Sequence, residues 1–140
     1  MNVHRVPGSL RLLVSDREYV ALYRCLNEIY NGPLIKYEED FKRWIGADRC
    51  DVGKIFSVFP QDRAQGNSWG DFESGLQITK HQHGSLTIDL SDANFRVLRN
   101  CLFETCNNVR LCEFDTRVGI ELEAALGMLR VMTAAVNRPN

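Results

Sequence analysis

The chain repeats one pattern twice, and this repeat restricts the possible folds more than any other feature of the sequence. Residues 8–32 match the segment 76 positions later at ten of 25 positions without a gap. The residues of the first copy that recur unchanged are Gly8, Ser9, Leu10, Ser15, Asp16, Leu22, Cys25, Leu26, Glu28 and Asn31. After residue 107 the offset falls to 73, and the agreement is then mainly in apolar character, as for Ile45 with Val118. The chain therefore reads as a tandem duplication.

Each copy begins with a strand pattern that leads into a helix pattern. Apolar residues alternate along 10–14 and again along 86–90, and this period of two predicts strands with one buried face. A serine at the N-cap position and an acid in the first turn follow at 15–16 and 91–92, as is typical of a helix start. In the first copy Glu18 completes a capping box. Apolar residues spaced by three and four then predict one amphipathic helix in each copy.

The other elements of each copy are a preceding strand, a short helical turn and a closing helix. Gly53 and Gly127 lie inside the closing helices, where glycine costs up to about 1 kcal/mol relative to alanine, and we interpret them as sites of close helix packing. The predicted elements of the first copy are 2–6, 10–14, 16–31, 41–46 and 48–59, and those of the second are 72–79, 86–90, 92–107, 113–119 and 121–136. Each copy is thus a β-β-α-α unit that includes a short helical turn.

One such unit has only a two-stranded ribbon, which is not stable alone in water. Two units can share a four-stranded antiparallel sheet that helices cover on one face, with an approximate two-fold axis between the copies as in a homodimer. The predicted fold is a two-layer α+β domain with pseudo-two-fold symmetry. We interpret residues 1–140 as a single domain in which 1–59 form repeat one, 60–71 an exposed linker, 72–136 repeat two and 137–140 a frayed tail.

Composition and charge argue against several classes of partner. The formal net charge is −1, and no basic stripe of the kind that nucleic-acid binders carry is present, so we expect no nucleic acid. No apolar run reaches the roughly 20 residues that cross a bilayer, and the first residues lack the apolar core of a signal peptide, so we expect no membrane association. Five cysteines, an odd number without a C-x-x-C motif, indicate reduced thiols and a cytoplasmic protein.

Few residues suggest chemistry, and no catalytic or nucleotide-binding motif occurs in the sequence. His81 and His83 are spaced to share one side of a strand or turn and are weak metal ligands, because a zinc site needs a third or fourth ligand. The simpler interpretation is a polar hairpin tip. Cys101 and Cys106 do not share a helix face and have no histidine near them in sequence, which favours buried thiols over a nucleophile. We expect no cofactor.

Two acids recur near the ends of equivalent helices, where the helix dipole disfavours a negative charge. Glu28 and Glu104 therefore need partners, and Arg43 and Arg117 are the nearest candidates although they are offset by one position in the 73-residue register. One interpretation is a Glu–Arg pair or a loop clamp. The other is a paired acidic site across the pseudo-two-fold axis that receives a basic partner.

Trp69 has no counterpart in the other copy and lies in the glycine-bounded segment 66–70. Positions where the copies have diverged are places to look for function, and aromatic residues in loops are common interface hot spots. Two interpretations stay open for Trp69, a binding residue and a lid over the edge of the sheet.

The repeated phrase reads S-D-x-x-aromatic-x-x-L-x-x-C-L-x-E-x-x-N, followed by F-x-x-x-(I/V)-G. It resembles a module of short bacterial proteins of unknown function, with EFDTRVG at 113–119 as the clean copy and DFKRWIG at 40–46 departing from it. The resemblance implies no activity and no catalytic residue. By analogy at the level of the fold, small near-neutral α+β proteins of this kind are often immunity-like or antitoxin-like.

We therefore expect a bacterial protein-binding domain that is not an enzyme, with a protein partner and an immunity-like or antitoxin-like role. The alternative is a small-ligand-binding protein or an enzyme that uses the cleft between the two copies, which would need a concave pocket with converging polar groups. The sequence leaves open whether the protein is a monomer or a homodimer.

Overall fold

The structure is a computed structural model that describes residues 1–138 and combines an antiparallel five-stranded sheet with six α-helices. The strands are β1 (Asn2–Val6), β2 (Ser9–Val14), β3 (Ser68–Asp71), β4 (Leu76–Lys80) and β5 (Leu86–Ser91). The helices are α1 (Asp16–Asn31), α2 (Glu38–Ile45), α3 (Arg49–Val58), α4 (Asp92–Asn108), α5 (Leu111–Val118) and α6 (Leu122–Asn137). The α+β class predicted from the sequence is confirmed. Residues 139 and 140 of the predicted tail lie outside the described residues.

The sheet has the order β1-β2-β5-β4-β3, so the two strands with alternating apolar residues are central neighbours. Leu10 lies opposite Leu90, Leu12 opposite Ile88 and Val14 opposite Leu86, and all six side chains are buried under the helices. The other face of these strands carries polar residues such as Arg11 and Asp89, which lie opposite each other in the same register. Period two in the sequence therefore correctly predicts which side chains enter the core.

The sheet has five strands where the sequence predicts four. The additional strand is β3, which lies in the segment interpreted as a linker, and the strand predicted at 72–79 begins only at Leu76. The reason is a turn between β3 and β4. The Ser74 N–H donates to Asp71 Oδ1 at 2.7 Å, and Gly75 takes a φ of +75°, which residues other than glycine rarely adopt. This turn reverses the chain and makes β3 and β4 a hairpin.

The predicted helix starts are confirmed. In α1 the Glu18 N–H donates to Ser15 Oγ at 3.2 Å and the Ser15 N–H donates to Glu18 Oε1 at 2.9 Å, which is a complete capping box. In α4 only the serine side of the box is present, with the Asn94 N–H donating to Ser91 Oγ at 3.2 Å. The short helical turns at 41–46 and 113–119 are the eight-residue helices α2 and α5. Each half therefore contributes three helices.

Helices α1 and α4 pack against each other under the sheet, and each also contacts helices from both halves of the chain. Helix α1 packs on α3 and α5, whereas α4 packs on α6 and α2. The largest fully buried side chains are aromatic and aliphatic, among them Tyr19, Phe41, Phe95 and Phe114. None of the helices within residues 1–138 is both long and apolar enough to cross a membrane.

The two glycines inside the closing helices differ in their surroundings. A Cβ added to Gly53 would lie 2.7 Å from Cε2 of the Tyr30 ring, so close packing explains this glycine as predicted. A Cβ added to Gly127 would meet nothing nearer than the Arg130 side chain at 3.8 Å. Close packing is therefore the wrong explanation for Gly127, because α6 presents this position to open space.

The cysteines divide into two groups. Cys25, Cys101 and Cys106 are buried in the core, and Cys50 and Cys112 are exposed, all five as free thiols. Burial raises the pKa of Cys25 and Cys101, and it raises the pKa of the Cys106 thiol to about 11. The buried thiols are therefore protonated at neutral pH and act as small apolar side chains, as the sequence predicts for most of them.

Candidate functional site

A groove of about 720 Å³ lies between α3 and the first turns of α4, and the end of α2 and the start of β4 close its ends. We call it the α3–α4 groove. Its apolar floor and walls are formed by Ile45, Ala47, Ile55, Val58, Leu76, Ala93 and Val97, and its polar lining by Asp51, Lys54, Ser74, Asn94, Arg96 and Asn100. Because α3 comes from the first half of the chain and α4 from the second, the groove lies between the two halves.

The end of α2 is held against α4 by a hydrogen bond from a side chain of α4 to the backbone of α2. Helix α2 ends at Gly46, which has a φ of +84° and donates its N–H to the carbonyl of Lys42 at 2.9 Å. The Asn100 Nδ2 donates to the carbonyl of Ile45 at 2.9 Å. Because other residues would be strained at this φ, glycine allows α2 to end here, and Gly46 and Ala47 line the end of the groove.

The polar groups of the groove fall into two classes. The amides of Asn94 and Asn100 are already engaged, because Asn94 Nδ2 donates to the carbonyl of Gly75 at 3.0 Å and Asn100 binds α2. Asp51 and Lys54 are exposed, and Lys54 Nζ lies 4.0 Å from Asp51 Oδ1. Arg96 is exposed and forms no hydrogen bond or salt bridge with any residue of 1–138. The groups left to meet a ligand are therefore charged, and most of them are cationic.

A second, smaller groove of about 410 Å³ lies between α1 and α6, and we call it the α1–α6 groove. Its lining residues are Ser15, Arg17, Glu18, Ile120, Glu121, Ala124 and Met128. Glu18 is engaged here, because its carboxylate accepts from the Ser15 N–H and lies 2.8 Å from the Met1 amino group. Burial alone would raise the pKa of Glu18, but the hydrogen bonds from the Met1 amino group and Ser15 outweigh it and lower the pKa.

Two of the residues predicted as a site form a clamp between helices of different halves. Arg117 of α5 donates to both carboxylate oxygens of Glu28 in α1, with Nε 3.1 Å from Oε1, and its Nη1 lies 3.4 Å from Glu113 Oε2. The Glu28 side chain is only 13% exposed. The hydrogen bonding of the Arg117 guanidinium to the Glu28 carboxylate is the largest cause that raises the pKa of Arg117. This geometry agrees with the Glu–Arg pair expected as one interpretation.

The other two predicted residues have different partners. The carboxylate of Glu104 accepts from Asn108 Nδ2 at 3.0 Å and forms no salt bridge within the described part of the chain. Arg43 is 70% exposed and pairs with Asp40 on its own helix, with Nη2 2.6 Å from Oδ1. The residue 73 positions before Arg117 is Trp44, so α2 offers no guanidinium to Glu104 at that position. The four residues therefore do not form one cluster.

The remaining candidates lie near the edge of the sheet. Trp69 is in the edge strand β3 opposite Ile78 and is half-buried against the core. His81 and His83 are exposed at the β4–β5 turn, where the His81 ring Nε2 contacts Thr87 Oγ1. Within residues 1–138 no three side chains of His, Cys, Asp or Glu are arranged to hold a metal ion.

The sequence predicts a cleft between the two halves as an alternative site but identifies none of the residues that line the α3–α4 groove. Arg96 and Asn100 of α4 stand 76 positions after Val20 and Arg24, so their difference from those residues was the available signal. Comparison with known protein families, with curated proteins and with solved structures found no match for this chain.

Proposed function

We propose that this chain is a duplicated protein-binding domain without catalytic activity, and that the α3–α4 groove is its binding site. An immunity-like or antitoxin-like role, in which the domain binds one protein partner, is the specific form of this function that we put forward. The observation that carries the proposal is the α3–α4 groove itself, with an apolar floor and a charged rim. Protein interfaces commonly combine an apolar centre with a polar rim in this way.

The register of the central strands supports a duplication with a two-fold axis. In such an arrangement a residue at the axis must lie opposite its own equivalent, and Leu12 lies opposite Ile88, which is 76 positions later. Each pair on one side of the axis must have an equivalent pair on the other side. The 76-residue offset relates Leu10 to Leu86 and Val14 to Leu90, so the pair Leu10–Leu90 requires the pair Leu86–Val14. Both pairs occur.

Contacts between the helices support the same arrangement. Arg24 Nη1 of α1 donates to the carbonyl of Thr116 in α5 at 3.2 Å. Its equivalent Asn100 in α4 donates to the carbonyl of Ile45 in α2 at 2.9 Å. In both cases the first helix of one copy holds the short helix of the other, as two halves that complete each other would do.

The two grooves occupy equivalent positions in this scheme. Ala124 and Met128 of the α1–α6 groove stand 73 positions after Asp51 and Ile55 of the α3–α4 groove. Their volumes differ, about 720 Å³ against about 410 Å³, and in the smaller groove Glu18 is occupied by capping contacts. A duplicated scaffold in which one of two equivalent grooves is larger favours that groove as the binding site.

The experiment is selection of a random peptide library displayed on phage against the folded protein. Ala93 is exposed and lines the α3–α4 groove, so Ala93→Trp fills it. We expect the selected peptides to bind Ala93→Trp at least tenfold more weakly than the unmodified protein. Arg17→Trp at the equivalent position of the α1–α6 groove is the matched control and should leave binding unchanged. The absence of any peptide that depends on Ala93 would reject the proposal, provided that both variants keep the melting temperature of the parent.

A second candidate function is binding or conversion of a small molecule between the copies. The volume of the α3–α4 groove supports it, since pockets for small ligands typically measure about 300–1,000 Å³. Its polar groups, however, lie on an exposed rim around an apolar floor rather than converging on one point. A thermal-shift screen with a metabolite library distinguishes the two candidates: stabilisation that Ala93→Trp abolishes favours the small-ligand function.

A further inference from the structure

We infer that the segment bound in the α3–α4 groove is an acidic amphipathic peptide, with an aliphatic anchor on the groove floor and a carboxylate beside Arg96 and Lys54. The inference rests on the proposed function and names the chemistry of the partner at that same site.

The first step concerns the floor. Ile55, Leu76 and Val97 line the groove and are each less than a tenth exposed, so they offer the edges of well-packed aliphatic side chains. Such a surface gains from burying another apolar side chain, at roughly 25 cal/mol per Å² removed from water. The groove lining contains no aromatic side chain on which the bases of a single-stranded nucleic acid would stack. The partner should therefore place an aliphatic side chain here.

The second step concerns the charges that remain free. Lys54 is 76% exposed and lies at the 4.0 Å limit of an ion pair with Asp51. Arg96 has no acidic partner within residues 1–138. The side-chain amide nitrogens of Asn94 and Asn100 already donate to carbonyl groups. The two cations are therefore the rim groups that can bind an anion most strongly. A carboxylate between them would complete the pairing that the chain itself leaves open.

The third step compares the two grooves. The charged residues of the α3–α4 groove are Asp51, Lys54 and Arg96, which sum to +1. Those of the α1–α6 groove are Arg17, Glu18 and Glu121, and together with the Met1 amino group, which pairs with Glu18, they sum to zero. An acidic segment is therefore attracted to the α3–α4 groove and not to its equivalent, which favours binding at a single site.

The test uses the peptides selected on phage, synthesised with a fluorophore and measured by anisotropy at low and high salt. We expect acidic residues to be enriched next to aliphatic ones. Arg96→Glu should raise Kd about tenfold, because it replaces attraction by repulsion at the rim, and added salt should weaken binding to the parent but not to the variant. Arg17→Glu, the same charge change on the other groove, is the control and should leave Kd within twofold.

A reciprocal change separates a direct contact from an indirect effect. A selected peptide whose acid is replaced by lysine should bind Arg96→Glu better than it binds the parent. Peptides that depend on Ala93 but show no acidic enrichment and no response to Arg96→Glu would overturn the inference and leave the proposed function standing. Concentration-dependent self-association that Ala93→Trp abolishes, measured by sedimentation, would also overturn it, because the occupant would then be a second copy of this chain.

Discussion

Arg117 of α5 and Glu28 of α1 are 89 residues apart in the chain and form a two-point ion pair, with Nε 3.1 Å from Oε1 and Nη2 bonded to Oε2. The carboxylate is largely buried and sits in the last turn of α1, where the helix dipole disfavours it. The arginine offsets that cost and at the same time fixes α5 to α1. This pair is a structural contact between the two halves of the chain.

We expect Arg117→Ala to lower the free energy of unfolding by about 2 kcal/mol, because it leaves a largely buried carboxylate without its partner. Urea denaturation followed by circular dichroism measures this value. The control is Arg43→Ala, which removes an exposed arginine that pairs with Asp40 and lies over the Trp44 ring, both on its own helix. That change should cost less than about 0.5 kcal/mol. Equal effects of the two substitutions would contradict the assignment of Arg117 as the clamp.

Alanine in place of Gly53 in α3 and in place of Gly127 in α6 should change the stability in opposite directions. Gly53→Ala places a methyl group 2.7 Å from the Tyr30 ring, and an aromatic ring packed between helices cannot yield without loss of contacts, so we expect destabilisation of about 1–3 kcal/mol. Gly127→Ala meets open space in α6 and should stabilise by about 0.5–1 kcal/mol through helix propensity. Thermal melting of the two variants measures both signs, and stabilisation by Gly53→Ala would show that Tyr30 does not pack as described.

The central architecture was predictable because local patterns determine it. Alternation along 10–14 and 86–90 identifies strands, and the serine followed by an acid after each of them identifies a helix start. Strand β3 was not predictable from its four residues, SWGD, which contain a single apolar side chain and a glycine. An edge strand of this length is defined by its partner β4 and by the turn at Gly75, and neither is visible in a local pattern.

The candidate site was predictable only in part. The sequence identified Glu28 and Arg117 as possible partners. It did not distinguish Arg117 from Arg43, because which of them reaches an acid of another helix depends on how the helices pack. The α3–α4 groove joins residues such as Lys54 and Arg96 from different halves of the chain. No spacing within one segment indicates such a site, because the shared sheet and the crossed helices bring its walls together.

Thiol labelling should divide the five cysteines into two groups. Cys50 and Cys112 are exposed, while Cys25, Cys101 and Cys106 are buried. Burial raises the pKa of the three buried thiols, to about 11 for Cys106, so almost none of them is the reactive thiolate at pH 8. We expect Ellman's reagent to modify two thiols quickly in the native protein and all five in denaturant. Cys50→Ser and Cys112→Ser should each remove one fast equivalent, and a third fast thiol in the parent would contradict the buried position of the others.

Acid should destabilise the protein partly through Glu18. Hydrogen bonds from the Met1 amino group and from Ser15 lower its pKa in the folded state below the usual 4.5, so the unfolded chain binds a proton at this site before the folded chain does. The ionised carboxylate therefore contributes stability above about pH 4.5, and this contribution is lost as the pH falls through that value toward the folded pKa. We expect the free energy of unfolding of Glu18→Gln to depend less on pH below 4.5 than that of the parent, as measured by urea denaturation at several pH values. Glu73→Gln, which changes an exposed acid in the β3–β4 turn, is the control and should keep the parent's slope; a parent-like slope for Glu18→Gln would mean that other carboxylates carry the acid sensitivity.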